Sequence, residues 1–147
     1  MHHKIKLIIG FPGSGKTFLA KNMMLAFHNP LFLCGRSKFD LYNPFLFSDV
    51  EDSTDLIVFD DVPEKKLHHL IVLCSDLLCI NKSGEKPYVR TPPQIVITTS
   101  YFPIENLDAS IKRRISVIET DIKQDITGDR IFNATKIDLS AEAYNVE

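Results

Sequence analysis

The sequence has no apolar run long enough to span a bilayer and opens on no signal-peptide pattern. An intracellular chain is expected. Cysteine is sparse. Cys34, Cys74 and Cys79 share no C-x-x-C spacing, which argues against a zinc or dithiol motif. Each sits among apolar neighbours, so buried, reduced thiols in a reducing compartment are expected. A strong net charge is missing as well. The formal net charge is −2, so no global basic field announces nucleic acid. The balance is uneven: residues 1–118 are slightly basic and residues 119–147 acidic. Any nucleic-acid contact must therefore come from a local patch. No internal repeat or low-complexity segment is present. His2-His3 carries no assigned chemistry, and the adjacent His68 and His69 point in different directions, a poor ligand pair. At 147 residues the chain suffices for one domain with a real core but not for two of ordinary size.

Glycine is scarce too, with six residues. Three of them fall in Gly10-Phe11-Pro12-Gly13-Ser14-Gly15-Lys16-Thr17, which fits the phosphate-binding pattern G-x-x-x-x-G-K-[ST]. A chance match of its four fixed positions is expected in roughly fewer than one such chain in a hundred. The setting agrees with the pattern. Ile5 to Ile9 reads as a short buried strand, and Phe18, Leu19, Met23, Leu25 and Ala26 as the apolar faces of a helix. Glycines let the backbone turn its N–H groups toward a phosphate, and the helix N-terminus adds partial positive charge. Gly10, Pro12, Gly13, Ser14, Gly15, Lys16 and Thr17 are the expected nucleotide contacts. Lys16 would reach the β- and γ-phosphates of ATP, and the Thr17 hydroxyl would bind Mg²⁺.

A second stretch, Asp55-Leu56-Ile57-Val58-Phe59-Asp60-Asp61, has the Walker B form: four apolar residues, then two carboxylates. A buried strand would carry Asp60 to the C-terminal edge of a parallel sheet, where open α/β folds bind ligands. There Asp60 would hold the Mg²⁺ shell and Asp61 would act as general base on water. Alone, such a strand could be no more than a turn cap. Downstream of the phosphate loop it reads as the metal-binding partner.

The rest of the chain supplies scaffold and basic patches. Leu31 to Gly35 reads as a short strand, and Arg36 to Asp52 as an irregular segment in which Arg36 and Lys38 are either nucleic-acid contacts or solvated charges. Pro63 to Leu78 has helical spacing and reads as a crossover helix. Ile80 to Pro93 reads as a hairpin with Lys82, Lys86 and Arg90 near its tip, either solvated or facing nucleic acid. Gln94 to Ser100 reads as a buried strand ending in hydroxyls that could touch a γ-phosphate. Glu105 to Arg114 reads as a helix closing on Lys112-Arg113-Arg114. Basic residues suit a helix C-terminus, but one arginine could also act as a finger in a neighbouring subunit. Ile115 to Thr120 reads as the last core strand. Domain limits are expected at 1–121 for the core and 122–147 for an acidic extension, with a short hairpin around Thr127-Gly128 and a loose tail.

In this order the parts resemble the superfamily 3 helicase domain, above all the helicase half of Rep proteins from small circular single-stranded DNA viruses and related plasmids. The similarity covers about residues 4–121. It implies an AAA+-like fold, a ring, usually hexameric, and movement on single-stranded nucleic acid, DNA more than RNA, in a virus, plasmid or prophage. If the chain is viral, host cytoplasm or nucleus is implied. Gly10 to Thr17 match motif A and Asp60-Asp61 motif B. Lys82-Ser83-Gly84 resembles the motif B′ lysine on the strand-tracking hairpin. Thr98-Thr99-Ser100 stands where motif C has Thr-Ser-Asn, and Arg113-Arg114 resembles the arginine pair near the domain end. Ser100 replaces the family asparagine and reaches less far. The nuclease domain and helical collar of Rep proteins have no counterpart here, so a helicase core alone is expected.

The reading is thus a P-loop α/β domain: a mostly parallel five-stranded sheet with helices on both faces, hydrolysing Mg²⁺-ATP. Lys16, Asp61, Ser100 and Arg113 or Arg114 are the expected catalytic residues, and no membrane is involved. Two rivals are a small-molecule or nucleotide kinase, whose phosphate loops look similar, and an ATP-binding assembly factor with little turnover.

Overall fold

The computed structural model describes residues 4–34 and 40–139. Its elements follow in chain order. Strand β1 (Ile5–Gly10) leads through a glycine loop to helix α1 (Lys16–Met24) and strands β2 (Pro30–Cys34) and β3 (Leu56–Asp60). Helix α2 (Glu64–Leu73), the short strands β4 (Leu78–Ile80) and β5 (Tyr88–Arg90), and strand β6 (Gln94–Ser100) come next. A 3₁₀ turn (Ile104–Asn106), helix α3 (Ala109–Lys112) and strands β7 (Ile115–Gln124) and β8 (Arg130–Ile137) complete the order.

The main sheet runs β2-β3-β6-β1-β7-β8. The first five strands are parallel, and β8 pairs antiparallel with β7. The sheet therefore has six strands, not the expected five. The extra strand lies beyond the expected end of the core, where β7 runs past Thr120 to Gln124 because β8 supplies its hydrogen-bond partners from Val117 to Gln124. The turn between them matches the expected hairpin, with Gly128 at φ 88°.

Both faces of the parallel sheet are covered, which is why its central strands read as unbroken apolar runs. Alternation decides which residue meets which cover. Leu7, Ile9, Ile57, Phe59, Ile95 and Ile97 enter the larger core with Leu67, Leu70 and Ile71 of α2. Ile8, Leu56, Val58 and Val96 meet α1 through Ala20, Leu19, Met23 and Met24 on the other face. Only part of the expected apolar face of α1 is inside: Phe18 and Leu25 are exposed.

Two expected helices are shorter than their spacing suggested. The first stops at Leu73, and Leu78 belongs to β4. The segment at 105–114 is broken, because Leu107 is extended and the Asp108 carboxylate accepts the amide of Ile111 at 2.9 Å, capping a new helix. The cysteines also depart from expectation. Cys74 is buried, and burial pushes its thiol pKa up, but Cys34 and Cys79 are exposed at a strand end and in a short strand. All three are free thiols.

Candidate functional site

The C-terminal ends of β1, β3 and β6 meet at one edge of the sheet. The loop after β1 turns there because Gly13 and Gly15 take left-handed φ values of 78° and 92°, cheap for glycine and costly for other residues. The Ser14 amide donates to Phe11 O at 3.1 Å, closing the turn. Crowding fixes the loop against β7: a Cβ on Gly10 would lie 2.5 Å from Thr120 Oγ1, and the Ser14 and Thr120 hydroxyls are hydrogen-bonded at 2.7 Å. Lys16 folds back into the loop. Its Nζ donates to Gly10 O at 2.9 Å and to Phe11 O at 3.2 Å. Desolvation lowers its pKa below the ordinary lysine value, while the Asp61 and Asp60 carboxylates pull it up.

The acidic side converges on the same point. Thr17 Oγ1 donates to Asp60, with Oδ1 at 3.0 Å and Oδ2 at 3.1 Å. Thr98 Oγ1 donates to Asp60 Oδ1 at 2.7 Å and accepts the Asp61 amide at 2.7 Å. Asp60 is buried, so these hydroxyls fix its rotamer. Asp61 has φ 60°, which turns the chain out of the strand. Beyond it the Val62 amide returns to Thr98 O, and Thr99 Oγ1 donates to Val62 O. In the sequence Thr98 stands only as the first residue of the motif C-like triplet, with no role of its own. A strand ending in hydroxyls beside an Asp-Asp strand was the available signal, but the register Phe59↔Ile97 is what brings Thr98 opposite Asp60.

These groups line a cleft of about 740 Å³ together with Pro12, Gly13, Gly15, Ser100 and Ile122. Ser100 stands opposite Gly10 in the sheet, at the mouth of the loop. The cleft thus gathers Pro12, Gly13, Gly15, Lys16, Thr17, Asp60, Asp61 and Ser100 of the expected residues, while Gly10 and Ser14 are not in its lining and Ser14 is buried against Thr120. Among the described residues no cluster of three or more His, Cys, Asp or Glu side chains could hold a metal without other donors, so a cation here would rest on Asp60 with the Thr17 hydroxyl.

Other expected residues lie elsewhere. Arg113 and Arg114 precede β7, whose Ile115 pairs with Ile5 at the opposite edge of the sheet. Five strand steps, roughly 17 Å, separate that edge from Gly10. Arg113 is exposed, whereas Arg114 Nη1 is buried with no hydrogen-bond partner. Strands β4 and β5 form the expected hairpin as a separate two-stranded sheet. Lys86 is exposed near its end, and Lys82 is half-buried beside Glu51, Asp52 and Glu85. Arg90 is at the base of the hairpin, opposite Leu78, and not at its tip. Its guanidinium donates to the carbonyls of Glu51, Asp52, Thr54 and Thr91, tying the hairpin to the 51–54 loop. Arg36 and Lys38 lie outside the described residues. No helix among the described residues is long and apolar enough to cross a membrane.

No protein-family model and no curated protein matches the sequence. Solved structures do share its fold. The JCV helicase, determined with a bound thiazolopyridinyl phenoxyphenyl acetamide, superposes with a TM-score of 0.61 at 16% identity, over 81% of this chain and 36% of its own. The apo C-terminal region of NrS-1 superposes with a TM-score of 0.57 at 18% identity, over 79% of this chain and 28% of its own. The chain therefore spans about a third of the length of either structure. At these identities the likeness is one of fold, and in fold the chain is similar to part of the JCV helicase: a mixed α/β unit around a mostly parallel sheet.

Proposed function

We propose that this chain is the ATP-hydrolysing core of a superfamily 3-type helicase or translocase, working with Mg²⁺ on single-stranded nucleic acid as a homo-oligomer. The observation that carries the reading is the convergence of Lys16, Thr17, Asp60, Asp61 and Ser100 in one cleft on a helicase-like fold. The donor set suits a magnesium triphosphate: a glycine loop with left-handed turns, a lysine ammonium, and a hydroxyl already against a buried carboxylate.

On this reading the loop amides and Lys16 hold the β- and γ-phosphates, with Lys16 exchanging its two carbonyl acceptors for phosphate oxygens. Thr17 and Asp60 hold Mg²⁺, which when bound would neutralise charge on the phosphates. Thr98 holds Asp60 and the Asp61 amide in place. Asp61 takes a proton from water; the water oxygen bonds to the γ-phosphorus as the bond to the bridging oxygen breaks, leaving ADP and phosphate. Ser100 positions that water or the γ-phosphate. Arg113, exposed at the far edge, serves a neighbour's cleft, since its own lies across the sheet. Lys82 and Lys86 contact the nucleic-acid backbone, and Arg90 braces their hairpin.

The test is ATP turnover per subunit against protein concentration, with and without single-stranded DNA. Turnover that rises with both is expected and would be lost in Lys16→Ala. Turnover that is flat and insensitive to DNA would discard the motor and direct the search to phosphate acceptors.

A further inference from the structure

One wall of the cleft is apolar, and the phosphate chemistry leaves it unused. It begins with Phe18, the residue after Thr17, 61% exposed on the first turn of α1. The β7–β8 hairpin adds Ile122 to the lining and sets Phe132, which is not itself in the lining, against Phe18 and the loop. Ile122 and Phe132 are directly paired across the two strands, so both project from one face of the hairpin. Ile122 lines the cleft. The Phe132 ring packs on the phosphate loop itself: a Cβ on Gly15 would lie 2.6 Å from Phe132 Cε2. It also meets Phe18 edge-to-face, with centroids 5.8 Å apart at 79°. A largely exposed strand thus sends one aromatic ring, Phe132, back onto the loop that would hold a triphosphate.

The cleft's polar side chains, Lys16, Thr17, Asp60, Asp61, Thr98 and Ser100, lie at the start of α1 and at the ends of β3 and β6. Beside them, Phe18 follows Thr17 on the same turn of α1, and the Phe132 ring lies against Gly15. A ligand with a polyphosphate at one end and a flat apolar ring at the other would match both.

Resting on the proposed phosphate site, we infer that Phe18, Ile122 and Phe132 form the seat of the nucleobase, so that the C-terminal hairpin completes the nucleotide site. The wall offers ring faces and an aliphatic side chain, not hydrogen-bonding side chains. It therefore holds the base by stacking and burial, which every base can satisfy. Purine triphosphates should bind similarly to each other and more tightly than a bare polyphosphate.

The chain has no tryptophan, so Phe132→Trp places a single indole reporter in the wall. Its emission is titrated with Mg²⁺ and ATP, GTP or inorganic tripolyphosphate, alongside calorimetry on the unchanged chain. ATP and GTP should both shift the emission, with affinities within about threefold of each other, and tripolyphosphate should not shift it. Phe132→Leu, which keeps apolar bulk on Gly15, should bind ATP about 5- to 100-fold more weakly and tripolyphosphate unchanged. ATP binding to the unchanged chain with a silent indole and an unaffected Phe132→Leu variant would overturn the base seat alone. Failure of the unchanged chain to bind either ATP or tripolyphosphate would overturn the phosphate site, and the base seat with it.

Discussion

Asp61 carries its carboxylate on a backbone that aspartate rarely adopts, with φ 60°, a conformation that is tolerated best by glycine, asparagine and aspartate. The Thr98 hydroxyl on its amide holds the turn. Residues in such conformations gather at functional sites, where the surroundings over-determine them. Asp61→Asn keeps both the shape and the backbone preference but cannot accept a proton. It should fold with an unchanged Tm, bind ATP, and lose about 10²- to 10⁴-fold in turnover. Full turnover in that variant, measured by phosphate release, would remove Asp61 as the base. At this scale the sequence was legible where chemistry is local: Lys16 follows its glycines directly, and Asp60-Asp61 ends its own strand. Thr98 and Thr120 were not, because each acts on a residue distant in the chain through the sheet register.

The β7–β8 hairpin is closed by Asp125. Its carboxylate accepts the Thr127 hydroxyl at 2.6 Å and the amides of Thr127 and Asp129 at 2.9 and 2.8 Å. The Thr127 hydroxyl, then, against desolvation, the amides of Asp129, Thr127 and Gly128 hold its pKa below the ordinary aspartate value. A depressed carboxylate adds stability above its unfolded-state value and loses it as pH falls through the folded-state value. Asp125→Ala should therefore lower the Tm at neutral pH. The gap to the parent should close as the pH drops below about 4, and a gap that persists in acid would refute the charge's role. The element itself shows why some structure escapes a sequence reading. The core strands announce themselves as apolar runs because both of their faces are covered. The residues of β8 are exposed on both faces from Arg130 to Lys136, so neither alternation nor an apolar run marks them, and only pairing with β7 makes them a strand. The break at Leu107–Asp108 was hidden similarly, since a capping aspartate inside a helical spacing looks like any surface charge.

For the whole molecule, the decisive feature is that the cleft and Arg113 occupy opposite edges of one sheet. If Arg113 works on a neighbour's triphosphate, mixing Arg113→Ala subunits with Lys16→Ala subunits should restore turnover that neither has alone, since each supplies what the other lacks. The size of the effect of a finger is large, about 10³-fold or more. No recovery over a range of mixing ratios would assign Arg113 a local role. The antiparallel direction of β8 has one more consequence. Five parallel strands would leave the chain beside the cleft after β7. The sixth carries it back, so that Ile137 and Leu139 line the same hollow as Lys4, the residue before β1. Both ends of the described fold thus emerge together on the side away from the glycine loop. A short linker could join residues 4 and 139 and new ends be cut in a surface loop, a circular permutation with the cleft intact.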